Sequence, residues 1–438
     1  MTPESDARES ILPRLLRNAV VDVSALRSRD FRLLQLGTFL TGLGTQVAIV
    51  ALPYQAYVIT GSPFLTGLLG AVELVPLVGF SLYGGAVADR LDRRRLLLGT
   101  QAALVAVSAA LAAAAYGDLQ EVWVLYVLAG LLAGFGAFES VSRMAIIPNV
   151  VPAGQLRSAL SLNFGLTVLQ SVIGPAIGGL VIAAWGVGTA YLVDGVTCAA
   201  MVVAAAAMSP QPPSEPDGEK HPPVLRSVVE GLRFVRSEQA LLGSFAIDVV
   251  AMTFGMPRAL FPVLSLTVYD AGATGTGFLF AAVAAGATVA ALTAGWLDTA
   301  RRLGRIVIGA VLVWGLAITA AGLVSSLWPA LVLFAVAGAA DSVSAVCRTT
   351  INQTVTPDAM RGRMSSVFML VVRGGPRLGD VEAGAVASLT TPRFSVVSGG
   401  LACVIGVGAI VLAFPALAAY DADAVTRRSE DPAGKPGS

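Results

Sequence analysis

Apolar blocks of about 20 to 25 residues recur along this chain, and each could cross a hydrocarbon layer about 30 Å thick as a helix. Hydrophobic residues make up 55% of the 438 positions and charged residues only 13%, against roughly 25% charged in a typical soluble domain. A water-soluble fold could not bury that much apolar surface. We therefore predict an all-α membrane protein.

Twelve transmembrane helices are predicted, with a polar, proline-rich segment at 209–216 between the sixth and the seventh. The predicted spans are 31–58, 64–88, 96–116, 122–148, 159–184, 188–208, 241–268, 275–298, 304–324, 328–350, 365–390 and 394–419. The predicted domains are a cytoplasmic N-terminal segment (1–30), a six-helix bundle (31–208), a cytoplasmic linker (209–240), a second six-helix bundle (241–420) and a disordered cytoplasmic tail (421–438). The linker contains an amphipathic stretch that we expect to lie along the membrane surface.

Basic residues predict the orientation of these helices. Most of the 29 Lys and Arg residues fall in the two tails, in the even-numbered loops or at the adjoining helix ends, whereas Arg393 falls on the opposite side. Cytoplasmic loops are enriched in Lys and Arg. We therefore expect a multi-pass protein of the cytoplasmic (inner) membrane with both termini in the cytoplasm, and no cleaved signal peptide.

The two halves of the chain resemble each other at an offset of about 205 to 210 residues. The run at 66–69, Thr-Gly-Leu-Leu, recurs as Thr-Gly-Phe-Leu at 276–279, and Arg143 recurs as Arg348. This repeat predicts two pseudo-symmetric six-helix bundles. Transporters built from such repeats bind their substrate between the two units.

The loop after the second helix, residues 85–95, carries a glycine, an Asp-Arg pair and then several arginines. This segment resembles the cytoplasmic loop signature of the major facilitator superfamily, although Asp92 stands where that signature has glycine. The resemblance implies a charge latch that opens as the halves rock, and a plain positive-inside anchor is the alternative. We assign gating to Gly85, Asp89, Arg90, Arg93, Arg94, Glu139, Arg143 and Arg348.

The fifth helix contains Gly-Pro-Ala-Ile-Gly-Gly at 174–179, which resembles the antiporter motif of the same superfamily. The motif residues are Gly174, Pro175, Gly178 and Gly179, and ordinary packing of small residues is the alternative. The runs at 231–234, 252–262 and 379–380 resemble the drug:proton antiporter branch, which includes siderophore exporters. That resemblance implies export.

Charged residues at membrane depth are functional hypotheses by default. The candidates for proton coupling in a central cavity are Glu73, Asp194, Asp248, Asp341, Arg373, Arg377 and Asp380. Glu73 is the preferred proton carrier because no adjacent cation is evident. Arg373, Arg377 and Asp380 share one helix face and could pair along it or across to a neighbour such as Asp341. Fixed buried ion pairs are the alternative. The resemblance also implies substrate contacts in helices one, five and seven, for which the candidates are Gln46, Tyr54, Gln55, Asn163, Gln170 and Phe254. Contacts that only connect neighbouring helices are the alternative for each of them.

The sequence therefore predicts a secondary exporter that exchanges protons for a siderophore or another amphipathic compound. An uptake symporter or facilitator, and a membrane scaffold without transport activity, are the alternatives. We find no phosphate-binding loop and only one histidine, His221, so we expect no enzyme activity, metal or cofactor. Cys198, Cys347 and Cys403 lie in apolar helices and favour a structural role. With a net charge of +1 we expect no nucleic-acid partner, and we expect a monomer in the lipid bilayer.

Overall fold

A computed structural model describes residues 24–88, 91–117, 121–212, 224–357 and 360–421, and these are almost entirely helical. The helices are α1 (Arg29–Thr60), α2 (Pro63–Ala88), α3 (Arg93–Tyr116), α4 (Val122–Val150), α5 (Leu156–Ala206), α6 (Val224–Ser237), α7 (Gln239–Phe254), α8 (Phe261–Thr267), α9 (Gly272–Leu292), α10 (Leu303–Leu323), α11 (Leu327–Val355), α12 (Arg361–Leu389), α13 (Pro392–Ala413) and α14 (Pro415–Ala418).

Among the described residues, ten helical segments are long and apolar enough to cross a membrane. One of them, α5, has 51 residues and turns at Gly186, whose φ of 82° suits glycine, so α5 supplies two spans. Another runs from Gln239 to Thr267 and consists of α7, a short turn at Arg258–Leu260 and α8. The 29 residues of α12 add a more polar span. Within the described ranges these make the twelve predicted spans.

The two sides of the helical bundle are named here by the linker. The linker face carries the start of α1, the end of α4 and the segment between α5 and α7, and the far face carries the turn between α1 and α2. Near the far face, a Cβ added to Gly67 would lie 3.2 Å from the Cα atom of Gly384, and one added to Gly277 would lie 2.8 Å from that of Gly179. These contacts join α2 to α12 and α5 to α9. Thus the halves meet at two glycine pairs, which we call the glycine seam.

The glycine seam explains the repeat found in the sequence. Gly67 and Gly277 occupy matching positions in Thr-Gly-Leu-Leu and Thr-Gly-Phe-Leu, and each allows a helix of the other half to approach closely. Small residues permit such approach in membrane helices, where lipid provides no hydrophobic force between helices. Away from the seam, each half packs largely around its own apolar core, one containing Phe31, Leu97 and Met201 and the other Trp314 and Phe334.

The amphipathic stretch of the linker forms α6, and one side of α6 packs on α12. The Glu230 carboxylate lies 2.9 Å from the Arg363 guanidinium. A Cβ added to Gly231 would lie 2.7 Å from a methyl group of Val367. Val229 is nevertheless 56% exposed, so a second side remains available to the membrane surface. The predicted surface helix is therefore also a docked helix.

The loop after α2 is described from Leu91 onward, so Asp89 and Arg90 lie outside the described residues. Asp92 is the N-cap residue of α3. Its Oδ1 accepts a hydrogen bond of 3.0 Å from the backbone N–H of Arg95, and its Oδ2 accepts one of 3.1 Å from the backbone N–H of Gln211. Asp92 has a φ of −57°, which any residue can adopt. Its substitution for the expected glycine is therefore explained by helix capping.

The arginines that follow Asp92 hold the ends of neighbouring helices. Arg93 Nη1 donates a hydrogen bond of 2.9 Å to the Ala145 carbonyl in α4. Arg94 Nε donates one of 2.8 Å to the Ala205 carbonyl at the end of α5. Cations favour the carbonyl end of a helix. The loop thus fastens helices within the first half, and its predicted role as a latch between the halves stays a prediction.

Candidate functional site: a charged cavity between the halves

A cavity of about 600 Å³ lies between the two halves. It extends from Thr66, close to the far face, to Arg143, in the last third of α4 toward the linker face. Helices from both halves form its wall. Its charged lining residues are Glu73, Glu139, Arg143, Asp194, Arg258, Arg373, Arg377 and Asp380.

An ion pair between Glu73 of α2 and Arg377 of α12 crosses from one half to the other in the wall of this cavity. Arg377 Nη1 lies 2.5 Å from Glu73 Oε2, and the Glu73 side chain is only 10% exposed. The expectation that Glu73 has no adjacent cation is therefore wrong. Gly70 makes the pair possible, because a Cβ at Gly70 would lie 2.7 Å from the Arg377 carbonyl oxygen.

Asp380 lies one helical turn beyond Arg377 and binds the interrupted part of the seventh span. Its Oδ1 accepts a hydrogen bond of 3.0 Å from the backbone N–H of Ala259. Arg258, next to this contact, is exposed to the cavity. In the described part of the chain, Arg258 makes no ion pair within 4.0 Å. Sequence reasoning placed Arg258 inside a helix but left it out of the site, although its position beside Pro257 signals an unwound segment.

Two further groups of charged residues lie closer to the linker face. Arg373 Nη1 donates a hydrogen bond of 3.5 Å to Ser81 Oγ, and among the residues that the structure describes no carboxylate lies within 4.0 Å of it. Glu139 and Arg143 pair at 3.1 Å along α4, as their spacing predicts. They line the cavity, and their predicted gating role stays a prediction.

Asp194 lies on the opposite wall, in the second part of α5, and is 2% exposed. Its Oδ2 accepts a hydrogen bond of 2.5 Å from Ser108 Oγ in α3. Its Oδ1 has no hydrogen-bond partner within the described ranges. No described cation lies within 4.0 Å of either oxygen. Asp194 is thus a buried carboxyl group that is held by a hydroxyl group alone.

Asp248, Asp341 and Arg348 form a separate charged cluster inside the second half. Arg348 Nη1 pairs with Asp248 Oδ1, and Arg348 Nη2 lies 3.6 Å from Asp341 Oδ1. None of the three lines the cavity. Asp341 therefore pairs with Arg348 and not with Arg377, contrary to one sequence-based expectation, because α11 brings Arg348 two helical turns from Asp341 on the same face.

The structure divides the predicted substrate contacts into two sets. Gln46 and Gln170 line the cavity, whereas Tyr54, Gln55, Asn163 and Phe254 are not among its lining residues. Gln55 Oε1 accepts a hydrogen bond of 2.6 Å from the Tyr191 hydroxyl, and Asn163 Oδ1 accepts one of 3.5 Å from Arg143. These side chains connect helices, as the alternative interpretation allowed.

The glycines at 174–179 pack against two different helices. A Cβ added to Gly174 would lie 2.5 Å from Gln46 Cβ, and one added to Gly178 would lie 3.0 Å from Val47 Cα, both in α1. Gly179 belongs to the glycine seam, and Pro175 lies inside α5. Gly85, a residue predicted to act in gating, lies in α2. The glycines of this motif thus pack against α1 within the first half and, through Gly179, against α9 of the second half.

Twelve spans in two similar halves around a shared charged cavity define a multi-pass membrane transporter with the major facilitator fold, and not an enzyme. The chain matches the family described as "Transmembrane secretion effector" over residues 21–434, and it belongs to that family. Two solved structures support the fold. Nucleoside transporter NupG aligns with a TM-score of 0.68 at 12% identity, over 89% of this chain and 98% of that one. A bacterial homolog of the human lysosomal transporter Spinster, inward-facing and unoccupied, aligns with a TM-score of 0.67 at 16% identity, over 94% and 100%.

Curated relatives cover nearly the whole chain. Enterobactin exporter EntS of Shigella boydii serotype 4 is 29% identical over 402 residues, which is 90% of this chain and 94% of that protein. Enterobactin exporter EntS of Escherichia coli O1:K1 / APEC is 28% identical over the same shares. The chain is therefore similar to these exporters over nine tenths of its length.

Proposed function

We propose that this protein exports a siderophore, or another amphipathic compound rich in oxygen atoms, by alternating access across the cytoplasmic membrane. The ion pair between Glu73 and Arg377 carries the proposal, because it joins the two halves in the wall of the cavity. An ion pair between the halves stabilises the arrangement in which its two side chains meet, and it is broken in an arrangement that moves them apart. The similarity to enterobactin exporters over 90% of the chain supports the direction of transport and the substrate class.

Arg258 and Arg373 favour a substrate with acidic or strongly accepting oxygen atoms. Both guanidinium groups line the cavity, and neither has a carboxylate within 4.0 Å in the described residues. A guanidinium group presents several N–H donors in a plane and binds oxygen acceptors well. A siderophore carries iron-chelating oxygen atoms and fits this requirement. Leu52, Leu69, Leu77 and Phe280 supply apolar area in the same cavity.

Protons are the proposed driving ions. A proton on Glu73 would remove the attraction to Arg377 and so weaken the link between the halves, which couples proton binding to their movement. We further propose that the chain works as a monomer with both termini in the cytoplasm. Under this orientation the linker face is the cytoplasmic face.

The proposal is tested in liposomes loaded with a catecholate siderophore or with a lipophilic cationic drug, under an imposed pH gradient. We expect siderophore movement that depends on the gradient, and we expect Glu73→Gln to abolish that dependence while substrate binding remains. Glu121→Gln is the matched control because Glu121 is exposed at the far face and caps no helix with its side chain. Transport of the drug alone would reject the siderophore class, and full gradient-driven transport by Glu73→Gln would reject Glu73 as the carrier.

A further inference from the structure

Two glutamines inside the first half are buried without any hydrogen-bond partner for their amide groups. Gln35 in α1 is 2% exposed and Gln101 in α3 is 0% exposed. Both the nitrogen and the oxygen of each side-chain amide are unpartnered in the described part of the chain, as is Thr38 Oγ1. Burying an amide without hydrogen bonds is costly in proteins. Three such side chains in one half point to a polar site.

Helix register places these side chains at one level of the membrane. Along α1, a Cβ at Gly37 would lie 3.5 Å from Met201 Cα, and one at Gly44 would lie 2.9 Å from Asp194 Cα. The α1 residues near position 37, including Gln35 and Thr38, therefore lie at about the level of Met201 along the bundle. This level is on the linker side of Asp194.

Helix α3 gives the same result independently. Arg94 contacts the Ala205 carbonyl and Ser108 contacts Asp194, so α3 runs antiparallel to the second part of α5. Gln101 lies midway between Arg94 and Ser108 and is therefore level with residues 199–201 of α5. At a rise of about 1.5 Å per residue, Gln101 is about 10 Å from Ser108 toward the linker face.

Buried polar groups of this kind are normally satisfied by water, which needs several polar partners in one place. The amides of Gln35 and Gln101 and the hydroxyl of Thr38 supply both donors and acceptors. Toward the membrane centre follow Thr41, which donates to the Thr197 carbonyl, and Ser108, which donates to Asp194. The free Oδ1 of Asp194 is a further acceptor. These groups form a series that leads from the linker side of the bundle to a buried carboxyl group.

We propose that Gln35, Thr38 and Gln101 hold a hydrated track that carries protons between the linker face and Asp194, and that this track meets the substrate cavity at Thr38 and Asp194. The titratable groups around Asp194 are Tyr191 and Cys198 on its own helix and Glu139 across the cavity. A carboxyl without a cation is buried at low cost only when it carries its proton. Gln35 and Gln101 do not line the cavity, so protons would reach Asp194 from inside the first half while substrate occupies the cavity. The coupling role of this track rests on the proposed function, whereas its hydration does not.

Hydration is tested without any substrate, using silver ions on single-cysteine variants. Cys198, Cys347 and Cys403 are first replaced by alanine, and Gln101→Cys is compared with Leu97→Cys, which lies one turn away in α3 and is also 0% exposed. Thiols blocked by silver resist alkylation after denaturation. We expect Gln101→Cys to be blocked about tenfold faster or more than Leu97→Cys, because only a water-filled site admits the ion. Equal rates would overturn the hydrated track.

The coupling role is tested with Gln101→Leu in liposomes that contain the catecholate siderophore. We expect gradient-driven transport to fall about tenfold or more, while exchange of siderophore without a gradient is retained. Thr100→Val is the control, because Thr100 lies beside Gln101 in α3, its hydroxyl donates to the Leu96 and Leu97 carbonyls of its own helix, and it does not line the cavity. Unchanged gradient-driven transport would overturn the proton route. A wild-type protein that ignores the pH gradient would instead reject the proposed function, and the silver experiment would still decide whether the site holds water.

Discussion

The two halves of the protein bury their carboxyl groups in opposite ways. Asp194 in the first half and Asp248 in the second are 2% and 3% exposed. Asp248 is paired with the Arg348 guanidinium, whereas Asp194 is held by the Ser108 hydroxyl. Burial alone therefore does not identify a proton carrier. A carboxylate paired within one half, such as Asp248, is held in its charged form, whereas the pair between Glu73 and Arg377 can separate when the halves move. A carboxyl group without a cation exchanges its proton at lower cost.

We expect the largest loss of stability from a substitution that leaves the buried carboxylates of the second half without their cation. Arg348→Met removes the cation shared by Asp248 and Asp341, and a buried pair that loses one partner is destabilised by about 3–5 kcal/mol. Thermal unfolding in detergent should show a marked loss of stability. Arg157→Met is the control because Arg157 is exposed. Equal stability of the two variants would show that the cluster around Arg348 is solvated and not fixed.

An intermediate effect is expected at the glycine seam. Gly277→Leu places a side chain against Gly179, and overpacking of this kind costs about 1–3 kcal/mol in the packed state. The halves should therefore separate at the far face in a larger fraction of molecules. Distances between one spin label on the turn between α1 and α2 and another at the start of α9 would report this separation. Gly165→Leu is the matched control, since a Cβ at Gly165 meets nothing within 4 Å. An unchanged distance distribution would mean that the seam is not a moving contact.

The smallest effect is expected in the first half. Ser108→Ala removes the hydroxyl that donates to Asp194, and one hydrogen bond contributes about 0.5–1.5 kcal/mol, or somewhat more when the acceptor is charged. The free energy of unfolding should thus fall by much less than in Arg348→Met. A loss as large as that of the arginine variant would indicate that Asp194 is charged and depends on Ser108, which would remove the contrast between the halves.

Sequence patterns predicted the helices more completely than the site. The twelve spans follow from apolar length, and the pseudo-symmetric glycines Gly67 and Gly277 were visible as a repeat. The pair between Glu73 and Arg377 was not predicted, because these residues are far apart in the chain and meet only when α2 packs on α12. Arg258 was overlooked for a related reason. Its exposure depends on the break between α7 and α8, which the sequence marks only by Pro257.

The glycine seam has an electrical consequence. Backbones that touch through glycine leave no room for a hydrated ion, so the seam acts as an insulating layer near the far face. If water fills the cavity from the linker side, the electrical potential inside the cavity is that of the linker side as far as the seam. The voltage of an energised membrane would then fall across a short distance, and each elementary charge that crosses the layer would exchange about 2.3 kcal/mol per 100 mV with the field.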